Sequence, residues 1–184
     1  MSGINDRELL DSYVRTGDEA AFAALIERYR ARLYAFVYKT VGNEADSLDV
    51  CQKVFVQVFL NASGFEWRSS FKTWLYRIAV NASLNHIEAR GREAVTVEDF
   101  ESLGALAAST PPEELIKGER NRILKRAVDE LPWKQRMTVV MRIYEDLSYS
   151  EIADTLECPL GTVKANMHHA LASLRKKIGS DFGL

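Results

Sequence analysis

Three groups of side chains in this sequence could do chemistry, and in each the chemistry is recognition. Thr73, Arg77, Asn81 and Asn85 recur every fourth residue, a spacing that lines one side of a helix. Amide and guanidinium groups in such a row can hydrogen-bond base edges or phosphates. Phe65, Trp67 and Arg68 precede them. Aromatic rings beside a polar helix make a platform for unstacked bases, worth about 1–3 kcal/mol per base. The pattern alone leaves Phe65 and Trp67 equally suited to core and platform, and Asn81 equally suited to a solvated surface and a base contact. Trp74 neighbours the apolar stripe and reads as half core.

The second group is Lys164, Asn166, His168, His169 and Ser173, closed by Arg175-Lys176-Lys177. The closing cations suit a helix C-terminus as well as phosphate. Adjacent histidines point about 100° apart on a helix, so His168 and His169 do not readily share a metal. The third group, Asp46, Asp49, Gln52 and Lys53, stands between apolar residues, as a solvated face or a docking face would. No Gly-rich phosphate loop, nucleophile–base pair or His-Glu-x-x-His is present. An enzyme is therefore the least expected reading, and no metal or other cofactor is expected.

The elements that must hold these groups read as helix almost throughout. Ser148 and Glu151 have the spacing of a capping box, and Ile152, Ala153 and Leu156 follow as a short apolar face. Cys158-Pro159 stops that helix, and a second begins at Thr162-Val163 and runs to about Ile178. Two short helices joined by a tight turn can lay the second in the DNA major groove; an ordinary helical hairpin is the alternative. Upstream, Asn5 and Glu8 frame another capping box, followed by Leu9, Leu10, Tyr13 and Val14. Gly17 ends that helix and Asp18 caps the next. The second helix carries Phe22, Leu25, Ile26, Tyr29, Leu33, Phe36 and Val37, and Gly42-Asn43 breaks it. A third helix, from about Glu44 to Leu60, is expected to bury Leu48, Cys51, Phe55, Val58 and Phe59. A fourth, from about Ser70 to Arg90, is expected to bury Phe71, Leu75, Ile78 and Ala82. Thr110 and Glu113 box a later helix whose buried face is Ile116, Ile123, Leu124, Ala127 and Val128, and Pro132 starts another to about Tyr144.

The net charge of −2 is unevenly spread. Residues 1–92 hold 12 Lys+Arg against 11 Asp+Glu, residues 93–112 hold none against 4, and residues 113–184 hold 12 against 11. Residues 93–112, with Gly104 and Pro111-Pro112, read as an acidic linker between two helical domains. Its Val95, Val97, Phe100, Leu103 and Leu106 suit docking better than a solvated tether. The two near-neutral ends imply weak non-specific DNA affinity, which scales with the number of phosphates neutralised. The composition, 47% hydrophobic and 27% charged, is that of a soluble globular protein. No signal peptide or membrane span is expected. Cys51 and Cys158 lack metal-ligand spacing and suit a reduced, cytoplasmic setting, as buried inert thiols more readily than as redox sensors.

Taken together these segments resemble the extracytoplasmic-function sigma factors, the minimal two-domain bacterial class, over nearly the whole chain. Asp18-Glu-Ala-Ala-Phe22 resembles the start of sigma domain 2. Asp49-Val-Cys-Gln-Lys-Val-Phe55 is similar to the helix that binds the β′ clamp helices. Phe71-Lys-Thr-Trp-Leu-Tyr-Arg-Ile-Ala-Val-Asn81 is close to the family's most recognisable string. Leu131-Pro132, Leu147-Ser-Tyr-Ser-Glu-Ile-Ala153 and Gly161-Thr-Val-Lys164 match region 4.

The resemblance implies an all-α chain. A four-helix sigma domain 2 would span 1–92, the linker 93–112, and sigma domain 4, with its C-terminal helix-turn-helix, 113–184. It implies core RNA polymerase, promoter DNA and an anti-sigma factor as partners, with no stable homo-oligomer. The anti-sigma factor would be membrane-linked or soluble, and one of the first kind would hold such a cytoplasmic protein at the inner membrane. Asp46, Asp49, Gln52, Lys53 and Phe55 would meet β′. Phe65, Trp67, Arg68, Lys72, Arg77, Asn81 and Asn85 would take the minus-ten element, pocketing a flipped base whose unpairing costs a few kcal/mol. Thr162, Lys164, Ala165, Asn166, His168 and His169 would read the minus-thirty-five element, with domain 4 on the β-flap. The linker would run through the polymerase cleft.

The alternatives are a stand-alone helix-turn-helix regulator, which usually dimerises on palindromes, and a decoy that sequesters an anti-sigma factor. Two departures from the family pattern stand out. Leu48 and Lys53 occupy positions where glutamate is usual, which alters the expected grip on β′. The recognition helix carries Ala165, Asn166, His168 and His169 where relatives often have arginine or serine. A bidentate arginine–guanine contact is worth about 1–3 kcal/mol of discrimination. A promoter-variant selection is therefore expected to return a minus-thirty-five element that differs from the family's common one or is read more weakly. Recovery of the common element unchanged would refute this.

Overall fold

Helix starts in this chain are set by short polar side chains that satisfy the first free amides. The computed structural model describes residues 4–91, 123, 124 and 126–181. The linker 93–112, the Thr110–Glu113 pair, Ile116 and both expected domain boundaries lie outside them. Helix α1 (Asp6–Thr16) opens on the Asn5–Glu8 capping box, with both reciprocal hydrogen bonds present at 2.9 and 3.0 Å. Gly17 closes it in the left-handed conformation, where a glycine has no Cβ to clash. Asp18 then accepts from the Ala21 amide at 3.1 Å and starts α2 (Glu19–Val41). Gly42 ends α2 in the same left-handed way, and Asn43 caps α3 (Glu44–Asn61) through the Asp46 amide at 2.9 Å. A single 3-10 turn (Ala62–Gly64) and an irregular loop lead to α4 (Phe71–Gly91), where the Ser70 hydroxyl accepts from the Thr73 amide at 3.0 Å.

Helix α2 is the centre of the first unit, and α1, α3 and α4 all pack against it. Leu25, Leu33, Phe36 and Val37 on α2 are wholly buried. The expected stripe is largely present, with Phe22 and Ile26 half-buried at its margin. Helix α3 differs from expectation. It buries Ser47, Val50, Cys51, Val54 and Val58, whereas Leu48 and Phe59 are exposed and Phe55 is half-buried. The spacing 47, 50, 51, 54, 58 keeps one face against both α2 and α4. Leu48 and Phe59 lie about a quarter-turn away. Helix α4 also departs from expectation, because both α2 and α3 cover it. Tyr76, Ala79, Val80, Ser83 and Thr73 are buried beside Phe71 and Leu75, and Ile78 and Ala82 are only half-buried. Val14, near the end of α1, is exposed.

The second unit is described by itself. Helical residues at 126–129 lead through Leu131 to α5 (Trp133–Tyr144), α6 (Tyr149–Thr155) and α7 (Leu160–Asp181). The Ser148–Glu151 capping box closes at 2.8 and 3.2 Å. Ala127, Leu131 and Val139 pack with Met167, Ala170 and Leu174 of α7, flanked by Val128, Tyr149 and Ile178. Leu124 is exposed rather than on the buried face. Every described element is helical, with no strand among the described residues.

Leu33→Ala tests the weight placed on α2. Leucine-to-alanine changes at fully buried sites cost about 2–5 kcal/mol. The midpoint of urea unfolding, followed by the fluorescence of Trp67 and Trp74, is expected to fall accordingly with its slope unchanged.

Candidate functional site

The loop after α3 and the outer side of α4 form one candidate surface. Its rings are packed together and do not stand free as a platform. Phe65 stacks on Trp74 with centroids 4.6 Å apart, and its edge meets Trp67 at 4.8 Å. Trp74 in turn meets Phe71, which lies against Tyr29 of α2. Phe65 and Trp67 are both half-buried. The Trp67 indole donates to Asp11 Oδ1 at 3.3 Å, and the Arg7 guanidinium lies 5.2 Å from its ring centre. Arg68 projects outward with its side chain 86% exposed and pairs with Glu66 at 2.6 Å. On α4, Asn81 and Asn85 are exposed, while Lys72 and Arg77 are half-buried. Thr73 drops out of the expected polar row: it is buried and shares a 2.8 Å hydroxyl contact with Ser70. That bond serves the start of the helix and leaves nothing to present to a ligand.

A second surface lies on the outer side of α3. Asp49, Gln52 and Lys53 are exposed, and with Val56 and Gln57 they line a shallow groove. Leu48, Val56, Phe59 and Leu60 add exposed apolar area to the same helix. The exposure of Leu48 and Phe59 differs from the sequence reading, which places both in the core. The five-residue stripe Ser47, Val50, Cys51, Val54, Val58 was the signal that excludes them. Asp46 stands apart, because its carboxylate is taken up within the fold. It accepts from Asn43, pairs with Arg90 and lies 3.2 Å from His86 Nε2. Burial of the Cys51 thiol pushes its pKa up to about 11, which keeps it protonated and unreactive.

The third surface is the outer side of α7. Val163, Met167, Ala170 and Leu174 are buried at helical spacing, so Lys164, Ala165, His168 and His169 face outward, all exposed. Thr162 and Asn166 are half-buried, and the Asn166 Nδ2 is buried without a hydrogen-bond partner. Helix α7 starts at Leu160, two residues before the expected start. The Pro159 carbonyl accepts from the amides of Thr162 and Val163 at 2.9 and 3.3 Å and so fixes the first turn. The tight turn before it carries Glu157 at φ 49°, a left-handed bend that reverses the chain between α6 and α7. The imidazoles of His168 and His169 lie 5.8 Å apart at 72°. Among the described residues no three His, Cys, Asp or Glu side chains come together to hold a metal.

The His86 imidazole is held below its ordinary value of 6.5, first by burial and then by the nearby Lys53 charge; Asp49 opposes both. The folded state therefore binds its proton less readily than the unfolded chain does. Its contribution to stability is complete above 6.5 and is lost as pH falls through the lowered folded value. Thermal midpoints taken between about pH 7.5 and about pH 5.5 should fall for the parent chain. His86→Gln is expected to flatten that dependence, and an unchanged slope in the variant would refute the assignment.

Comparison with known proteins gives a consistent set of matches. The Sigma-70 region 2 family model matches residues 25–93, and the Sigma-70, region 4 model matches residues 121–174. The ECF RNA polymerase sigma-E factor of Escherichia coli K12 is 36% identical over 179 residues, covering 93% of each chain. The RNA polymerase sigma-H factor of Pseudomonas aeruginosa is 33% identical over 181 residues, covering 94% of this chain and 93% of that one. Among solved structures, the sigma factor RpoE of Bartonella quintana, in complex with the anti-sigma factor NepR, superposes with a TM-score of 0.71 at 22% identity. It covers 87% of this chain and 98% of that one, a likeness of fold.

Proposed function

Because this chain belongs to the extracytoplasmic-function family of RNA polymerase sigma factors, we propose that it binds core polymerase and directs initiation at promoters that share a two-part element. It acts as a binding subunit, not an enzyme. The observation that carries the reading is the pairing of two surfaces in one chain. The polar outer side of α4 lies within the region 2 match, and the outward side of α7 lies within the region 4 match.

Each surface then takes a role. Asp49, Gln52 and Lys53, with Phe55 beneath them, are assigned to the β′ clamp helices. Asp46 supports them by tying the start of α3 to Arg90 of α4. Asn81 and Asn85, flanked by Lys72, Arg77 and Arg68, are assigned to the non-template minus-ten strand, with Phe65 and Trp67 shaping the pocket for a flipped base. Lys164, Ala165, His168 and His169 are assigned to the minus-thirty-five groove. Thr162 and Asn166 lie at the edge of that contact, since both are partly covered. Sigma domains 2 and 4 are taken as 1–92 and 113–184, with the acidic connector 93–112 between them and domain 4 on the β-flap.

Control by an anti-sigma factor is part of the reading, supported by the Bartonella quintana complex, a relative in fold. Among the described residues no helix is long and apolar enough to cross a membrane. The site of action is taken as the cytoplasm, under an anti-sigma factor that is either soluble or linked to the inner membrane.

The test is run-off transcription by core polymerase on a pooled random-promoter library, with and without the protein. Initiation that depends on the protein and clusters on a two-part motif is expected. Binding to core without initiation would favour a decoy, and no binding to core would favour a stand-alone DNA-binding regulator.

A further inference from the structure

We propose that α1 is a positioning element for the minus-ten loop, acting through Trp67, with Arg7 and Asp11 as the positioning residues. The inference rests on the reading above that the loop and the outer side of α4 take up the non-template strand.

Trp67 adopts φ 56°, in the left-handed region. A residue this bulky is disfavoured there. Such a conformation persists only where its surroundings over-determine it, and it is found preferentially at functional sites. The loop's own backbone does not supply that constraint, since it is an irregular segment between the 3-10 turn and α4. The constraint comes from α1. The Asp11 carboxylate accepts from the indole N–H at 3.3 Å, and the Arg7 guanidinium covers the ring face at 5.2 Å. Arg7 and Asp11 sit one turn apart on α1, and their own contact at 3.7 Å aligns the two parts of the clamp.

The clamp has a firm base. Leu9 and Leu10 of α1 are buried, Asp6 pairs with Arg28 and accepts from the Tyr29 hydroxyl, and Arg28 donates to the Ile4 carbonyl at 2.8 Å. It also has an output. The edge of Phe65 rests on Trp67, and Phe65 stacks on Trp74 in the first turn of α4. The position of α1 is thus passed through three rings to the start of the helix that carries Asn81. The Arg7 side chain is 67% exposed and that of Asp11 46%, so neither belongs to the core and both are placed to set loop geometry. Helix α1 lies outside the residues matched to region 2, and the loop lies inside them. A segment beyond the matched region therefore holds the segment that reads.

The experiment uses holoenzyme assembled from core polymerase and the full chain. The probe is labelled single-stranded DNA carrying the non-template minus-ten element recovered by promoter selection. Asp11→Ala is expected to weaken probe binding about tenfold, as misplacement of a binding group does, while core affinity and thermal midpoint stay at the parent values. Asp11→Asn keeps the acceptor oxygen and is expected to restore binding. Trp67→Gly removes the ring and suits the left-handed backbone. In that background Asp11→Ala should have no further effect, because the two act in series. An Asp11→Ala effect that is absent, that is equal in both backgrounds, or that comes with a matching loss of stability and core affinity would overturn the proposal. Asn81→Ala is the control for the underlying reading. If it leaves probe binding unchanged, that reading fails; if it weakens binding while Asp11→Ala does not, only the role of α1 fails.

Discussion

The first unit depends on the burial of α2. Its Leu25, Leu33, Phe36 and Val37 are entirely removed from water and must be covered, while Ala23, Ala24, Glu27 and Arg30 stay exposed on its other side. Three other helices close around it. Aromatic contacts fix their places: Phe36 meets Tyr76 of α4 edge-on at 5.0 Å, and Tyr29 meets Phe71 at 5.5 Å. Once α3 and α4 have each committed one side to this core, only their far sides remain for partners. The polar residues of α3 and the asparagines of α4 occupy that remainder. The placement of the candidate surfaces thus follows from how the core is closed.

The two units share a restrained use of charge. Residues 1–92 and 113–184 each carry one more cation than anion, and several of the cations are spent internally. Arg28 serves Asp6, Arg90 serves Asp46, and Lys177 serves Glu130. Affinity for DNA backbone scales with the number of phosphates that cations neutralise, and a near-even balance of charge opposes it.

Much of this architecture was legible in the sequence because helix termini are written locally. Asn5, Asp18 and Ser148 all cap as their spacing to the following residues implies. What could not be read were the consequences of packing between helices. Leu48 and Phe59 look like core residues by hydrophobicity, yet α3 turns Val50 and Val54 inward instead. Thr73 has the spacing of a recognition residue but is enlisted by Ser70 to start the helix. The pattern could not decide between core and platform for Phe65, because the deciding partner, Trp74, lies on the next element. The tie between Trp67 and Asp11 spans 56 residues of sequence, and no local spacing could reveal it. At the second site, the outward set Lys164, Ala165, His168 and His169 follows from the helical period once Val163 and Met167 are known to be buried. Asn166 is half-buried at that margin, with its Nδ2 inside it.

The division of labour along α7 bears on how such a protein diverges. Val163, Met167, Ala170 and Leu174 carry the scaffold, and the residues facing the other way make no contribution to it. Surface replacements away from caps and cores usually change stability by no more than about 0.5 kcal/mol. Copies of the gene can therefore exchange side chains at Lys164, Ala165, His168 and His169 while folding as before, so this side of the helix is free to vary independently of the scaffold.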